Sequence, residues 1–299
     1  MTLTLATFNV KDYFESPRNL PVLAAKAEEI AAQLARADAD VIALQEVGSE
    51  PLLRDVLARM PRPPGAAAYE IVFGGADRRG IGNAILARVP LHEREVLRVE
   101  ALPFPVFRRG DPAPFPGRLP LRRPVVRVAL RALGLQIHVF CTHWKSKLPK
   151  AEEDEEGAEV GWTSGAERAE AELRSLVSRA AEALFLRAAV ERSAAAGAEV
   201  VLMGDLNDTL DSVPVRIVLG SGFEPSLQAA SDRAPRDARV STLHRGEPEQ
   251  IDHILHTARL DARLTAVAFF NEALRDHPFG GDTAPTIDSD HALVCARYG

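Results

Sequence analysis

The chain has 299 residues, 46% of them hydrophobic and 26% charged, with a formal net charge of −6. Those proportions exclude a disordered tail, a collagen and a helical membrane bundle. Two cysteines, Cys141 and Cys295, are too few for a disulfide scaffold in a chain of this length. No run reaches the roughly 18 apolar residues of a membrane span, and the N-terminus lacks the basic start and apolar core of an export signal. A cytoplasmic protein without a membrane anchor, acting as a monomer, is the expectation.

Leu3 to Phe8 alternates apolar and polar residues, the period of a strand. Leu23, Ala27, Ile30 and Leu34 then recur at helical spacing and predict an amphipathic helix over 20–37. Asp40 to Leu44 reads as a short buried strand ending at Gln45-Glu46. Further strands are expected near 69–73, 82–88, 124–132, 135–142, 198–204, 250–256, 263–270 and 291–298. A long helix is predicted over 164–196, with Leu173, Leu176, Val177, Ala180, Leu184 and Val190 facing inward, and a short one over 212–220. Residues 101–124 hold seven prolines and five arginines and read as a surface loop. The acidic run 152–156 reads as a solvated loop. Without repeats or a long linker, residues 1–299 are expected to form a single α/β domain.

Charge is unevenly distributed. Ten basic residues lie between 103 and 150 against one acid, Asp111, so that segment carries +9 and the rest −15. A local basic field of this kind attracts phosphate even on an acidic protein.

The polar residues of interest fall at predicted strand ends: Asn9, Glu46, His143, Asp205 with Asn207, Asp252, and Asp290 with His291. Each alone has an ordinary explanation as a turn former, a cap or a satisfied histidine. Together they supply hard oxygen ligands for Mg²⁺ or Mn²⁺, with carboxylates and imidazoles left over for proton transfer.

The motifs Thr7-Phe8-Asn9, Leu44-Gln45-Glu46, Thr142-His143-Trp144, Gly204-Asp205-Leu206-Asn207-Asp208, Ile251-Asp252-His253 and Ser289-Asp290-His291 resemble, in order, those of the endonuclease/exonuclease/phosphatase (deoxyribonuclease I-like) superfamily. The resemblance implies a four-layer α/β/β/α sandwich of two packed mixed sheets with outer helices. It implies a Mg²⁺- or Mn²⁺-dependent phosphoesterase, with metal ligands Asn9, Glu46 and Asp290. Asp205 would deprotonate the attacking water, Asn207 would hold water or phosphate, and His291, oriented by Asp252, would stabilise the phosphoryl charge with His143 opposite. Lys145, Lys147 and Asn83 are candidate substrate contacts. The expected partner is a phosphate ester, with nucleic acid ahead of a small or lipid-derived phosphodiester; a non-catalytic phosphate-binding module is the remote alternative. One departure stands out. Where abasic-site endonucleases carry an acidic residue two positions after the first asparagine, this chain has Lys11.

Overall fold

The computed structural model describes residues 2–61, 65–112, 114, 119–153, 159–244, 246–277 and 284–299. Part of the proline-rich segment (113 and 115–118) and residues 154–156 of the acidic run lie outside them. The strands in chain order are β1 (Leu3–Tyr13), β2 (Val41–Val47), β3 (Glu70–Ala76), β4 (Gly82–Ala87), β5 (Leu91–Leu97), β6 (Val125–Ala132), β7 (Leu135–His143), β8 (Glu152–Glu153) and β9 (Glu159–Val160). They continue with β10 (Glu199–Asp205), β11 (Leu227–Ala229), β12 (Thr242–His244), β13 (Glu247–Glu249), β14 (Asp252–Thr257), β15 (Leu264–Phe270) and β16 (Leu293–Tyr298). The α-helices are α1 (Leu23–Ala37), α2 (Glu50–Arg59), α3 (Gly165–Ala195), α4 (Val213–Leu219) and α5 (Ala258–Asp261).

Twelve strands form two six-stranded sheets, ordered β15-β16-β1-β2-β4-β3 and β11-β14-β10-β7-β6-β5. Both are mixed: β1–β2 and β7–β10 are parallel, and the other pairs antiparallel. Alternation along each strand divides its side chains between two layers. On β1, Leu3 and Leu5 enter the core between the sheets, with Val41, Val128, Val139, Val201 and Ala296, while Ala6, Phe8 and Val10 face the outer layer of α1 and α2. The second sheet packs its outer side on α3 and α4 through Phe140, Val200, Leu202, Leu186 and Val218. The architecture is the expected α/β/β/α sandwich.

Several elements differ from expectation. The short β8, β9, β11, β12, β13 and α5 have no periodic signal, and Glu152–Glu153 of the acidic run form β8 where a loop was expected. Two longer elements also lie outside the predicted spans. Helix α2 starts at Ser49, whose side chain caps Leu52 N–H, with a proline in its first turn. Strand β5 is an edge strand whose exposed positions are charged, so it lacks an apolar period.

Helix α3 occupies the predicted span but turns a different stripe inward. Leu173 and Leu176 are 57% and 40% exposed, whereas Ser175, Arg179 and Glu182 are buried. Further along, Leu186 and Val190 return to an apolar contact with the sheet. The inward charges have partners in the loop after β7, described below, and those contacts decide the rotation of the helix. Cys141 is fully buried, its thiol pushed up to about 12 by burial, and Cys295 is half-buried. Among the described residues no helix is long and apolar enough to cross a membrane.

Candidate active site

The second sheet ends in a polar row. Strand β7 stops at His143, β10 stops at Asp205, and β14 begins at Asp252. Asp205 is the register partner of His143 on one side and of Asp252 on the other. Register neighbours on adjacent strands project to the same face, so these three side chains emerge together. The preceding Gly204 lets β10 and β7 approach closely: its φ is 147°, and a Cβ there would lie 1.9 Å from the Thr142 carbonyl oxygen.

The first sheet contributes through a bulge. Pairing of β2 with β1 jumps from Asn9–Gln45 to Tyr13–Val47, and pairing with β4 jumps from Gln45–Asn83 to Val47–Gly82. Glu46, left over between these pairs with φ 65°, is turned out of the ladder. Its carboxylate accepts the Asn9 Nδ2 at 3.3 Å and the Asp12 N–H at 2.8 Å.

Asp205 is the centre. Its Oδ2 accepts Asn9 Nδ2 at 2.9 Å, and its Oδ1 accepts the Asn207 N–H at 2.8 Å. His143 Nε2 stands 3.4 Å from the same Oδ2, and His291 Nε2 stands 3.9 Å away on another side. Asp252 Oδ2 accepts His291 Nδ1 at 2.8 Å. Burial and the neighbouring Asp252 charge raise the Asp205 carboxyl above the ordinary carboxylate range. Burial opposes a charged His291, but the charge and hydrogen bond of Asp252, with Asp205 and Asp290, outweigh it and lift the imidazole well above its usual value. His143 goes the other way, held well below by burial and then by Arg123 and His291. Asp205 thus sits between one imidazole raised above its usual pKa and one held below it.

Glu46, Asp205 and Asp290 are hard oxygen donors, a set that fits Mg²⁺ or Mn²⁺ better than zinc. Asp205, Asp252 and His291 also bring ligand atoms within 4.8 Å of one another. In that trio His291 Nδ1 is engaged by Asp252 Oδ2 at 2.8 Å, while Glu46 and Asp290 keep carboxylate oxygens available, so both groups are candidate cation holders.

The sequence profile of the Endonuclease/Exonuclease/phosphatase family matches residues 6–291. The chain belongs to that family. No curated protein matches it in sequence. Among solved structures, truncated Caenorhabditis elegans TDP2 superposes with a TM-score of 0.62 at 14% identity, covering 100% of this chain and 97% of that one. Bacteroides thetaiotaomicron mannosyl-6-phosphatase gives 0.60 at 14% identity, with 98% of each chain covered. D. rerio TDP2 complexed with a single-stranded DNA product gives 0.58 at 16% identity, covering 100% and 99%. Likeness at such identities establishes a shared fold, and function must be argued from the site.

The expected site residues Asn9, Glu46, His143, Asp205, Asn207, Asp252, Asp290 and His291 form one connected cluster. Asn9, expected as a metal ligand, commits its Oδ1 to the Lys11 N–H at 3.0 Å and presents Nδ2 to Glu46 and Asp205. A backbone donor at Oδ1 fixes that orientation, so Nδ2 steers the two carboxylates while the second lone pair of Oδ1 stays open to a cation. Asn83 is wholly buried within β4, where Nδ2 donates to the Pro124 carbonyl at 2.9 Å, so it is a strand residue and not a turn former. Lys145 is also buried, its ammonium donating to Ser146 and Leu148 oxygens at 2.7–3.1 Å, and burial followed by nearby arginines depresses it to about 7. It braces its own loop. Lys147 pairs with Glu249 at 2.8 Å.

Much of the +9 segment is likewise spent internally. Arg127 pairs with Glu93 and Glu95, and Arg123 donates to the His143 and Trp144 carbonyls from a buried position. At the C-terminal end of the proline-rich loop Arg123 meets the site. Several contributors were not singled out from sequence. Arg179 donates to the Ser146 carbonyl at 3.0 Å and pairs with Asp208, and Glu182 accepts the Lys145 N–H at 2.8 Å, so α3 holds the loop that follows His143. Arg79 stands exposed on the β3–β4 turn, which Asp77 organises by accepting the Arg79 and Ile81 N–H groups, and its charge reaches His143 and Lys145. The Asp77-x-x-Gly80 turn was the available signal for it.

Proposed function

We propose that the protein is a divalent-metal-dependent phosphoesterase that cleaves a phosphodiester by in-line attack of an activated water, with nucleic acid as the favoured substrate. The observation that carries this reading is Asp205 flanked by His143 Nε2 at 3.4 Å and His291 Nε2 at 3.9 Å, with Asp252 holding His291 from behind. In-line displacement at phosphorus needs a base for the nucleophile and charge stabilisation on the non-bridging oxygens. Asp205, raised in pKa and steered by Asn9 and the Asn207 backbone, takes the proton of the attacking water. His291 donates Nε2–H to a phosphoryl oxygen while Asp252 keeps the proton on Nδ1. His143, across Asp205 from His291, contacts the same phosphate. Asn207, whose Nδ2 is anchored on the Trp144 carbonyl at 3.1 Å, offers its amide oxygen to water. Mg²⁺ or Mn²⁺, held by Glu46 and Asp290, would supply charge neutralisation on the phosphoryl group.

For substrate class, the exposed Arg79 beside the site and the fold shared with a DNA-bound TDP2 favour a nucleic-acid strand. The fold shared with a mannosyl-6-phosphatase favours, as a second reading, a small phosphate ester. Hydrolysis of bis-p-nitrophenyl phosphate with Mg²⁺ or Mn²⁺, and its loss with chelator, tests the metal role; Glu46→Gln should need more Mn²⁺ for the same rate. Activity indifferent to chelator would refute that role. Supercoiled plasmid, a single-stranded oligonucleotide and small phosphodiesters, compared at two salt concentrations, separate the substrate readings. Turnover of small esters without cleavage of either nucleic acid would end the nuclease reading.

A further inference from the structure

Lys26 sits in the inward stripe of α1 among Ala27, Ile30, Ala31 and Leu34, and is itself only 2% exposed. Lysine is rarely buried to this degree, because an ammonium taken out of water is unfavourable unless its donors are met. Here they are met by backbone. Nζ donates to the carbonyls of Thr286, Ile287 and Asp288 at 3.2, 3.3 and 3.4 Å. Three N–H donors on one nitrogen thus engage three successive carbonyls, and the chain is wrapped around the ammonium. An apolar side chain of the same length would fill the space and leave those carbonyls without the donor.

The wrapped turn leads straight into the site. Ser289 follows it, its Oγ donating to the Asn9 carbonyl at 2.7 Å and accepting the His291 N–H at 3.0 Å. Asp290 and His291 are the next two residues. Packing alone holds the turn loosely. Ile287 is 46% exposed, and a crevice of about 40 Å³ lies behind the turn, walled by Ile30 and Gln33 of α1 together with Ile287, Asp288, Ser289 and His291. Ile30 and Gln33 are four and seven residues on from Lys26, so they continue its face of the helix. Where that face leaves a gap, the ammonium bridges it. We infer that Lys26 is a positioning residue for the site: by gripping the carbonyls of residues 286–288 it sets where Asp290 and His291 stand. The inference rests on the phosphoesterase reading for its effect on rate, and on the contacts alone for its effect on the turn.

The test uses the full chain and two substitutions. Lys26→Met keeps the length and removes the donors; Lys26→Gln keeps an N–H donor without the charge, and carries the same test if Lys26→Met does not fold. Hydrogen–deuterium exchange without added metal should quicken several-fold in residues 284–292 of Lys26→Met and stay unchanged in β10 and β14. Turnover of bis-p-nitrophenyl phosphate should fall about tenfold or more in kcat with little change in the Michaelis constant, the pattern of lost alignment. Lys26→Gln should lie between Lys26→Met and the wild type in both measurements. General destabilisation would instead quicken exchange in β10 and β14 as well, and would overturn the role. So would unchanged exchange in 284–292, or unchanged kcat, in a folded variant. If the wild type turns over no phosphate ester, the phosphoesterase reading fails by itself, and exchange in 284–292 still decides whether Lys26 holds the turn.

Discussion

His143 and Asp205 are the last residues of two adjacent parallel strands, and their side chains meet with Nε2 3.4 Å from Oδ2. The contact is set by strand register, so the distance between this imidazole and the proposed base is a property of the sheet and needs no loop to close.

Asp205→Asn should therefore lower kcat by about 10² or more while leaving the fold intact, since asparagine preserves the shape and loses the basicity. The measurement is turnover of bis-p-nitrophenyl phosphate at saturating Mn²⁺, with a melting curve alongside. Full activity in a folded variant would remove Asp205 from the role of base.

Asp252→Asn should move the pH–rate profile toward acid on both limbs. His291 stands above its usual pKa because Asp252 overcomes the opposing effect of burial, so without that charge the imidazolium loses its proton at lower pH. Asp205 is raised by burial and then by Asp252, so its carboxylate forms at lower pH too. Rates between pH 5 and 10 check both shifts, and an alkaline limb that stays in place would show that it reports a group other than His291.

Gly204→Ala tests the row from below. The added Cβ would fall 1.9 Å from the Thr142 oxygen, which is backbone and cannot swing aside, and φ of 147° is itself unfavourable for alanine. The cost should be about 2 kcal/mol or more, read as a Tm lower by roughly 5 °C, together with a fall in kcat as His143 and Asp205 separate.

Short apolar runs bounded by polar residues are visible without a structure, so the strand-end positions of His143, Asp205 and Asp252 are legible in the sequence. Asn9 and Glu46 instead lie inside β1 and β2, which run on past the expected ends. Which strands lie side by side was not visible: the pairing of Asp205 with both His143 and Asp252 depends on contacts between segments far apart in the chain. Side-chain direction was hidden for the same reason. Asn9 reads as a hard ligand by type, and only the Lys11 N–H reveals that its oxygen is engaged. Lys145 reads as a free cation beside a motif, and only its burial reveals a brace. Periodicity identified α3, but its leucine stripe was taken for the inner face although Arg179 and Glu182 had partners to reach.

Arg79→Ala separates the two substrate readings. If the exposed guanidinium meets a flanking phosphate, the Michaelis constant for an oligonucleotide rises several-fold, and its salt dependence loses about one unit of slope. Turnover of bis-p-nitrophenyl phosphate, which has no flanking phosphate, should not change. Equal losses on both substrates would place Arg79 in the chemistry and deprive the nucleic-acid reading of its main support.

The inward stripe of α3 bears on how the molecule comes apart. Its C-terminal turns are fastened to the second sheet by Leu186 and Val190, and the turns before them to the loop after β7 by Ser175, Arg179 and Glu182. Glu182 is raised by burial to about 6, so the folded chain holds this proton more tightly than the unfolded one. Lowering the pH through about 6 therefore adds stability at this point, and amide exchange around the middle of the helix should slow. Mild acid would clamp the helix onto the loop behind His143, so that loss of activity on acidification would come from the site's own titration and not from an undocked helix.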